Sequence, residues 1–234
     1  MVADTVHAPS PMPQFSVCAL VLAGGRGSRM GGVDKGLQLF QGVTLARNAL
    51  ERLRRQQPLA PIRLAINANR NTDTYADLGV PVWPDTVSES VPAYAGPLAG
   101  MLSGLVQSAA SCDFLLTVPC DSPLFPIDLL ARLAAALTPA TETDGTPVDI
   151  AMACAPEQCE DGTWVARKQP VFLLMRTHLG PDLARYLAAG GRKIDDWCAR
   201  HPMRKVAFDR VQDRIAFANA NTLSELEKLQ ALES

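Results

Sequence analysis

Three short stretches of the chain, SVCALVLA (16–23), IRLAINA (62–68) and CDFLLTVPCD (112–121), are apolar at almost every position rather than at every second one. A strand with one wet face alternates apolar and polar residues, so near-continuous runs of this length describe strands covered on both faces, as in a parallel sheet between helix layers. Segments of helical period separate them. TLARNALERLRRQ (44–56) sets Leu45, Ala49, Leu50 and Leu53 on one face behind a Thr44 cap. TDTYADLG (72–79) reads as a short helix ended by Gly79, and VPVWPD (80–85) as a short strand. PLAGMLSGLVQSAA (97–110) opens with proline at a first helical position, and PIDLLARLAAAL (126–137) supplies the next helix. This alternation predicts an α/β fold of three layers around a mostly parallel central sheet.

The second half is less regular. VDIAMACA (148–155) and WVARKQPVFLLM (164–175) read as a strand pair at the sheet edge, joined by the turn EQCEDGT (157–163); MRKVAFD (203–209) and RIAFANA (214–220) read as further strands. PDLARYLAAGG (181–191) and IDDWCARH (194–201) read as helices, and TLSELEKLQALE (222–233) as a last helix opened by a capping box of Thr222 and Glu225. TPATETDGTP (138–147) is read as a surface loop. Residues 1–14 lack both the basic and the hydrophobic region of a secretion signal and are expected to be a disordered tail; no linker divides 15–234, which reads as a single domain.

Composition narrows the function classes. With 234 residues, 47% of them hydrophobic, the chain can bury a full core, and its formal charge of −2 offers no global cationic field for nucleic acid or an anionic membrane. The apolar runs are strand-sized, well short of the ~20 residues that span a bilayer. The six cysteines form no C-x-x-C pair, and Cys154 with Cys159 lacks the further ligands of a metal site. A cytoplasmic protein with a small ligand is expected.

The first apolar run leads directly into LAGGRGSRMGGVDKG (22–36). Glycine removes side chains so that backbone N–H groups can approach an anion. A P-loop would end Gly-Lys-Ser/Thr, whereas Lys35 precedes Gly36 and Leu37; a dinucleotide fingerprint would need glycine where Met30 stands. Instead Arg26, Arg29 and Lys35 spread positive charge along the loop. A long polyphosphate suits that spacing, because attack on the α-phosphorus of a nucleoside triphosphate needs fixed cations where charge builds on the departing pyrophosphate. Lys35 is the main candidate cation and Arg29 the second. Asp121 ends the third apolar run, so its carboxylate should stand at the carboxyl edge of the sheet, able to hold Mg²⁺ while phosphate oxygens and waters complete the coordination; capping the turn before Ser122-Pro123 is the alternative.

LAGGRGSRMGGVDKG is similar to the N-terminal signature of the nucleotidyltransferase fold, and RMGGVDKG with INANRN, YAGPLAGMLSGL, VPCDSP and FANANT, in that order between residues 17 and 230, resembles the molybdenum cofactor guanylyltransferase family. The resemblance implies a Rossmann-like nucleotidyltransferase fold and transfer of GMP from GTP to the phosphate of molybdopterin, giving molybdopterin guanine dinucleotide and pyrophosphate with Mg²⁺. It places Leu22, Ala23, Gly24, Gly25, Lys35, Asn67, Asp85, Gly96, Pro97, Leu98 and Asp121 on GTP, and Asp121 on the metal. Lys35, Arg29 and Asp121 are the implied catalytic residues. Gln169, Pro170, Arg192, Lys193, Asn219 and Asn221 fall on the molybdopterin side, although Arg192 and Lys193 after a helix-ending Gly-Gly also suit plain helix-dipole partners. Pro170-Val171 stands where many relatives have proline-threonine. Transient contacts with proteins that deliver the pterin and accept the product are expected.

The nucleophile is already a phosphate anion and needs no side-chain base, so His7, His178 and His201, outside every motif, are not expected to be catalytic. Two other readings stay open: the same fold with another nucleotide or acceptor, such as molybdopterin cytidylyl transfer or sugar-phosphate activation, and a regulatory nucleotide-binding module. Retention of both Lys35 and Asp121 argues against the second.

Overall fold

The computed structural model describes residues 15–24, 34–56, 62–86, 96–137, 147–159, 161–220 and 222–232. In chain order the elements are β1 (Val17–Leu22), β2 (Leu39–Phe40), β3 (Val43–Thr44), α1 (Leu45–Arg54), β4 (Ile62–Asn67), α2 (Thr72–Ala76), β5 (Val82–Trp83) and α3 (Pro97–Ser108). Then follow β6 (Phe114–Pro119), α4 (Leu129–Leu137), β7 (Ile150–Gln158), β8 (Trp164–Arg176), α5 (Gly180–Ala188), α6 (Ile194–Cys198), β9 (Met203–Ala207) and α7 (Leu223–Leu232).

The apolar runs are strands buried on both faces. In β1, Val17, Ala19 and Val21 enter one core cluster and Cys18 and Leu20 the other; β6 divides in the same way, with Phe114, Leu116 and Val118 against Leu115. The first cluster is closed by α1, α2 and α4, the second by α3, α5 and α6. α1 forms where Thr44 accepts a hydrogen bond from the Arg47 backbone N–H and Leu45, Ala46, Ala49, Leu50 and Leu53 share a buried face. α3 is buried almost all round, and Gly104 lets it settle onto the sheet: a Cβ there would lie 2.6 Å from Leu20 Cδ2. α7 opens with the expected box, in which the Thr222 N–H donates to Glu225 Oε2 (3.0 Å) and the Glu225 N–H to Thr222 Oγ1 (3.2 Å).

The seven-stranded sheet has the order β5-β4-β1-β6-β8-β7-β9. Four of its six pairings are parallel, and β8 runs antiparallel to both neighbours. From β1 the chain moves outward to β4 and β5 and then returns to β6 on the other side of β1. The crevice at the carboxyl ends of β1 and β6 is therefore a topological switch point, where open α/β sheets bind ligands. Leu22 of β1 is in register with Asn67 of β4 and Pro119 of β6, and Asn67 with Trp83 of β5, so these strand ends share one edge.

Two features of the second half depart from simple periodicity. The β7–β8 register shifts between Met152, opposite Leu173, and Cys154, opposite Lys168, so residues 169–172 bulge out of the ladder. Pro170, with no N–H to donate, sits in that bulge. The strand expected over 214–220 does not form. A 3-10 turn occupies Val211–Arg214 instead, because Asp213 is drawn inside, 2% exposed, to meet Arg132 Nη1 at 2.9 Å and the Arg210 N–H at 3.1 Å. Phe217 then packs edge-on against Phe172 and Phe208 rather than lying along a strand.

All six cysteines carry free thiols, and burial pushes those of Cys18 and Cys198 up to about 12. The four buried ones, Cys18, Cys112, Cys120 and Cys198, act as small apolar side chains. Among the described residues no helix is long and apolar enough to cross a membrane.

Candidate active site

Lys35 and Asp121 lie 86 residues apart in sequence and meet at the carboxyl edge, with Lys35 Nζ 2.9 Å from Asp121 Oδ2. The side chains are 22% and 18% exposed, so the pair is partly shielded yet open to a ligand. Asp121 is placed by β6: the Cys120 N–H donates to Leu22 O, continuing the β1–β6 ladder to the last residue before it. Lys35 is placed by a 3-10 turn, Lys35–Leu37, whose cap Asp34 accepts from the Gly36 N–H at 3.2 Å. Among the described residues no three His, Cys, Asp or Glu side chains converge as a metal cage.

Beside this pair, four hydrogen bonds join the ends of β1, β4 and β5. Asn67 Nδ2 donates to Trp83 O and to Asp85 Oδ1, both at 3.0 Å; the Asp85 N–H donates to Asn69 Oδ1 at 2.8 Å; Asn69 Nδ2 donates to Gly24 O at 3.3 Å. Asn67 is 3% exposed and its amide lies between two glycines. A Cβ on Gly24 would fall 2.8 Å from Asn67 Oδ1, and one on Gly100 would overlap the same oxygen outright. The first turn of α3 therefore closes against Asn67, carrying Gly96, whose φ of +72° suits glycine, together with Pro97 and Leu98. Ser103, one turn further along the same face, ties that helix to the end of β5 by donating to Pro84 O at 2.7 Å.

The structure thus gathers Leu22, Ala23, Gly24, Asn67, Asp85, Gly96, Pro97 and Leu98 into one cluster, next to Lys35 and Asp121. Gly25, Arg29 and Asn221 lie outside the described residues, as does Arg26. Asn219 joins the Asp121 strand end, since Ser122 Oγ donates to Asn219 Oδ1 at 2.5 Å and the Ala220 N–H to Asp121 O at 2.7 Å. Gln169 and Pro170 occupy the β8 bulge. Lys168, adjoining them, pairs with Asp195 at 3.0 Å and so brings β8 to the start of α6, where Lys193 is the cap residue. Arg192 directs its guanidinium at the end of α5, onto Leu187 O (3.0 Å) and Gly191 O (2.5 Å).

Sequence reasoning assigned no role to Asn69, Asp34 or Tyr75. The repeated asparagines of INANRN were a usable signal for Asn69. The others depend on contacts between distant segments.

A doubly wound sheet that brings a lysine–aspartate pair and a glycine-lined asparagine to its switch point has the layout of an α/β protein that takes its ligand at the carboxyl ends of the strands. Residues 19–205 match the MobA-like NTP transferase domain. The chain belongs to that family and is a nucleotidyltransferase. It is 53% identical over 218 residues, 92% of its length and 96% of the relative's, to the molybdenum cofactor guanylyltransferase of Acidovorax ebreus (strain TPSY), and 49% identical over 220 residues, 94% and 98% respectively, to that of Albidiferax ferrireducens. Solved structures agree in fold. Molybdopterin-guanine dinucleotide biosynthesis protein A from Archaeoglobus fulgidus superposes with a TM-score of 0.59 at 18% identity, covering 92% of this chain and 97% of that one. CMP:2-keto-3-deoxy-manno-octonic acid synthetase complexed with CTP superposes with a TM-score of 0.65 at 12% identity, covering 94% and 98%.

Proposed function

We propose that the chain transfers GMP from GTP to the phosphate of molybdopterin, releasing pyrophosphate. The observation that carries this reading is the Lys35–Asp121 pair at the switch point, in a chain half identical along most of its length to relatives named for that activity. A phosphate oxygen of the acceptor attacks the α-phosphorus, a new P–O bond forms, and the bond to the β-phosphate oxygen breaks as pyrophosphate leaves. Lys35 meets a triphosphate oxygen as a compact point charge. Asn67, Asp85 and the first turn of α3 take the guanosine, and the Leu22–Gly24 backbone lines its path to the phosphates.

Asp121 suits Mg²⁺, because it offers one hard carboxylate beside a site for a ligand that brings its own phosphate oxygens, and magnesium is commonly held by one or two carboxylates plus substrate phosphates and water. When bound, the ion would offset charge building on the departing pyrophosphate. On the acceptor side, Asn219, Gln169, Pro170, Arg192 and Lys193 receive the molybdopterin. Arg192 would have to exchange its helix carbonyls for the ligand. The six free thiols suit a reducing cytoplasm.

The test is incubation of the purified chain with each of the four nucleoside triphosphates, Mg²⁺ and molybdopterin, scoring pyrophosphate and the dinucleotide product. GTP is expected to be the preferred donor. Preference for CTP, or pyrophosphate release only with a sugar phosphate as acceptor, would overturn the assignment.

A further inference from the structure

Lys35 is the cation on which the transfer depends, yet it stands on a three-residue turn with a glycine at its centre. What holds that turn is its neighbour. The Asp34 carboxylate accepts three hydrogen bonds besides any it makes elsewhere: the Tyr75 phenol donates to Oδ1 at 2.5 Å, the Gly36 N–H to Oδ1 at 3.2 Å, and Asn71 Nδ2 to Oδ2 at 2.9 Å. The Gln38 amide adds a bond to the Asp34 carbonyl at 3.3 Å. Tyr75 and Asn71 belong to α2 and its cap, 41 and 37 residues further along the chain.

This anchor is stiff for three reasons. Tyr75 is fully buried, part of the same core cluster as residues of α1, β1 and β4, so its hydroxyl has little freedom. Burial first, and the bond to Asp34 second, push the phenol far above its ordinary value, which keeps it a proton donor across the working pH range. Gly36 passes so close that a Cβ there would overlap the Tyr75 hydroxyl, and Asn71 takes a left-handed backbone, φ +51°, to present its amide.

We propose that Asp34, clamped by Tyr75 and Asn71, is a positioning residue for the nucleotide triphosphate: it fixes the turn from which Lys35 reaches Asp121. Asp34 touches neither substrate nor metal in this role. The inference rests on the reading of Lys35 as the triphosphate cation. It assigns part of the active-site precision to a short helix, α2, that contributes no ligand of its own.

The test is a double-mutant cycle on the intact enzyme, with GTP, Mg²⁺ and molybdopterin, measuring kcat and both KM values and, by calorimetry, GTP binding. Tyr75→Phe removes one oxygen and keeps the ring packing. It is expected to lower kcat/KM for GTP by roughly tenfold, and Asp34→Ala by about a hundredfold, the scale of bonds to a charged group, with KM for molybdopterin unchanged. In a Lys35→Ala background, adding Tyr75→Phe should change neither turnover nor GTP affinity, because the clamp then has nothing to position. Equal losses in both backgrounds would mark a general structural role and overturn the inference. So would a neutral Tyr75→Phe alongside a severe Lys35→Ala. If Lys35→Ala itself is neutral, the reading of the site fails, and the anchor with it. Thermal melting of each variant separates these outcomes from misfolding, and Tyr75→Phe decides the matter should Asp34→Ala fail to fold.

Discussion

On the side of Asp121 proposed for the nucleotide, Asn67, Asn69 and Asp85 are joined by two hydrogen bonds and tied by two more to the carbonyls of Trp83 and Gly24, across the ends of β1, β4 and β5. On the side proposed for the acceptor, Gln169 and Pro170 stand in a strand bulge, and Arg192 and Lys193 in the bend between α5 and α6. In the first group Asn67 is buried, Asn69 and Asp85 are half-buried, and each has hydrogen-bond partners, an arrangement that favours rigidity. In the second, Arg192 and Lys193 are exposed, and the Arg192 guanidinium donates to the Leu187 and Gly191 carbonyls. A nucleotide whose reacting phosphorus must be aligned is better served by the rigid wall, whereas an acceptor that enters and leaves through its own phosphate can meet groups that rearrange.

Replacing Asp121 tests the seam where both halves meet, and the largest effect is expected there. Asp121→Ala should lower pyrophosphate release by at least about a thousandfold, since it removes the carboxylate proposed for the metal and strips Lys35 of its partner. The circular dichroism spectrum and melting temperature should stay near those of the parent, because Asp121 is partly exposed at a strand end. Turnover within tenfold of the parent would remove Asp121 from the chemistry.

The nucleotide wall should break through packing alone. Gly100→Ala forces a methyl group onto the Asn67 amide and to within 2.8 Å of Leu22 Cδ2. Overpacking of this kind costs about 1–3 kcal/mol, so stability should fall by that amount and KM for GTP should rise roughly ten- to a hundredfold, with KM for molybdopterin nearly unchanged. A rise confined to the acceptor KM would show that the glycine serves the wrong side.

The two halves also differ in how far the sequence discloses them. β1 and β6 are legible because burial on both faces writes itself as an unbroken apolar run, and Asp121 because it ends one of those runs. Lys35 is legible from the charge it adds to a glycine-rich loop. Asn69 and Tyr75 are not, since what matters is the oxygen or nitrogen each meets tens of residues away, and nothing local specifies that meeting. The expected strand at 214–220 fails for a related reason: its apolar run Ile215–Ala218 fits a strand, but the Arg132–Asp213 pair and the edge-on contacts of Phe217 with Phe172 and Phe208 outweigh the ladder. The bulge at 169–172 likewise gives no periodic sign beyond Pro170.

A milder change probes the acceptor side. Arg192→Ala is expected to raise KM for molybdopterin a few-fold and leave KM for GTP unchanged, because the guanidinium already satisfies two carbonyls and gains only the difference on turning to a phosphate. Loss of that contact at the end of α5 should cost about 0.3–1 kcal/mol of stability, visible as a small drop in melting temperature. An effect on GTP alone would move Arg192 out of the acceptor half.

The smallest effect concerns how α6, which carries the Lys193 bend, is tied to α5. Asp182 accepts from Trp197 Nε1 at 3.1 Å, meets His201 Nε2 at 3.0 Å, and pairs with Arg185 at 3.2 Å. Burial by itself would raise its pKa; the Trp197 and Arg185 hydrogen bonds, then the His201 and Arg200 charges, outweigh that and hold it below the ordinary 3.8. A carboxyl depressed in the folded state adds stability that is present above the unfolded value and lost as pH falls through the folded one. Asp182→Asn should therefore be less stable than the parent at neutral pH, with a gap that starts to narrow below about pH 5 and closes under 3.8, as urea titrations at stepped pH would record. A gap that stays constant into acid would mean that Asp182 holds the two helices by shape and neutral hydrogen bonding rather than by charge.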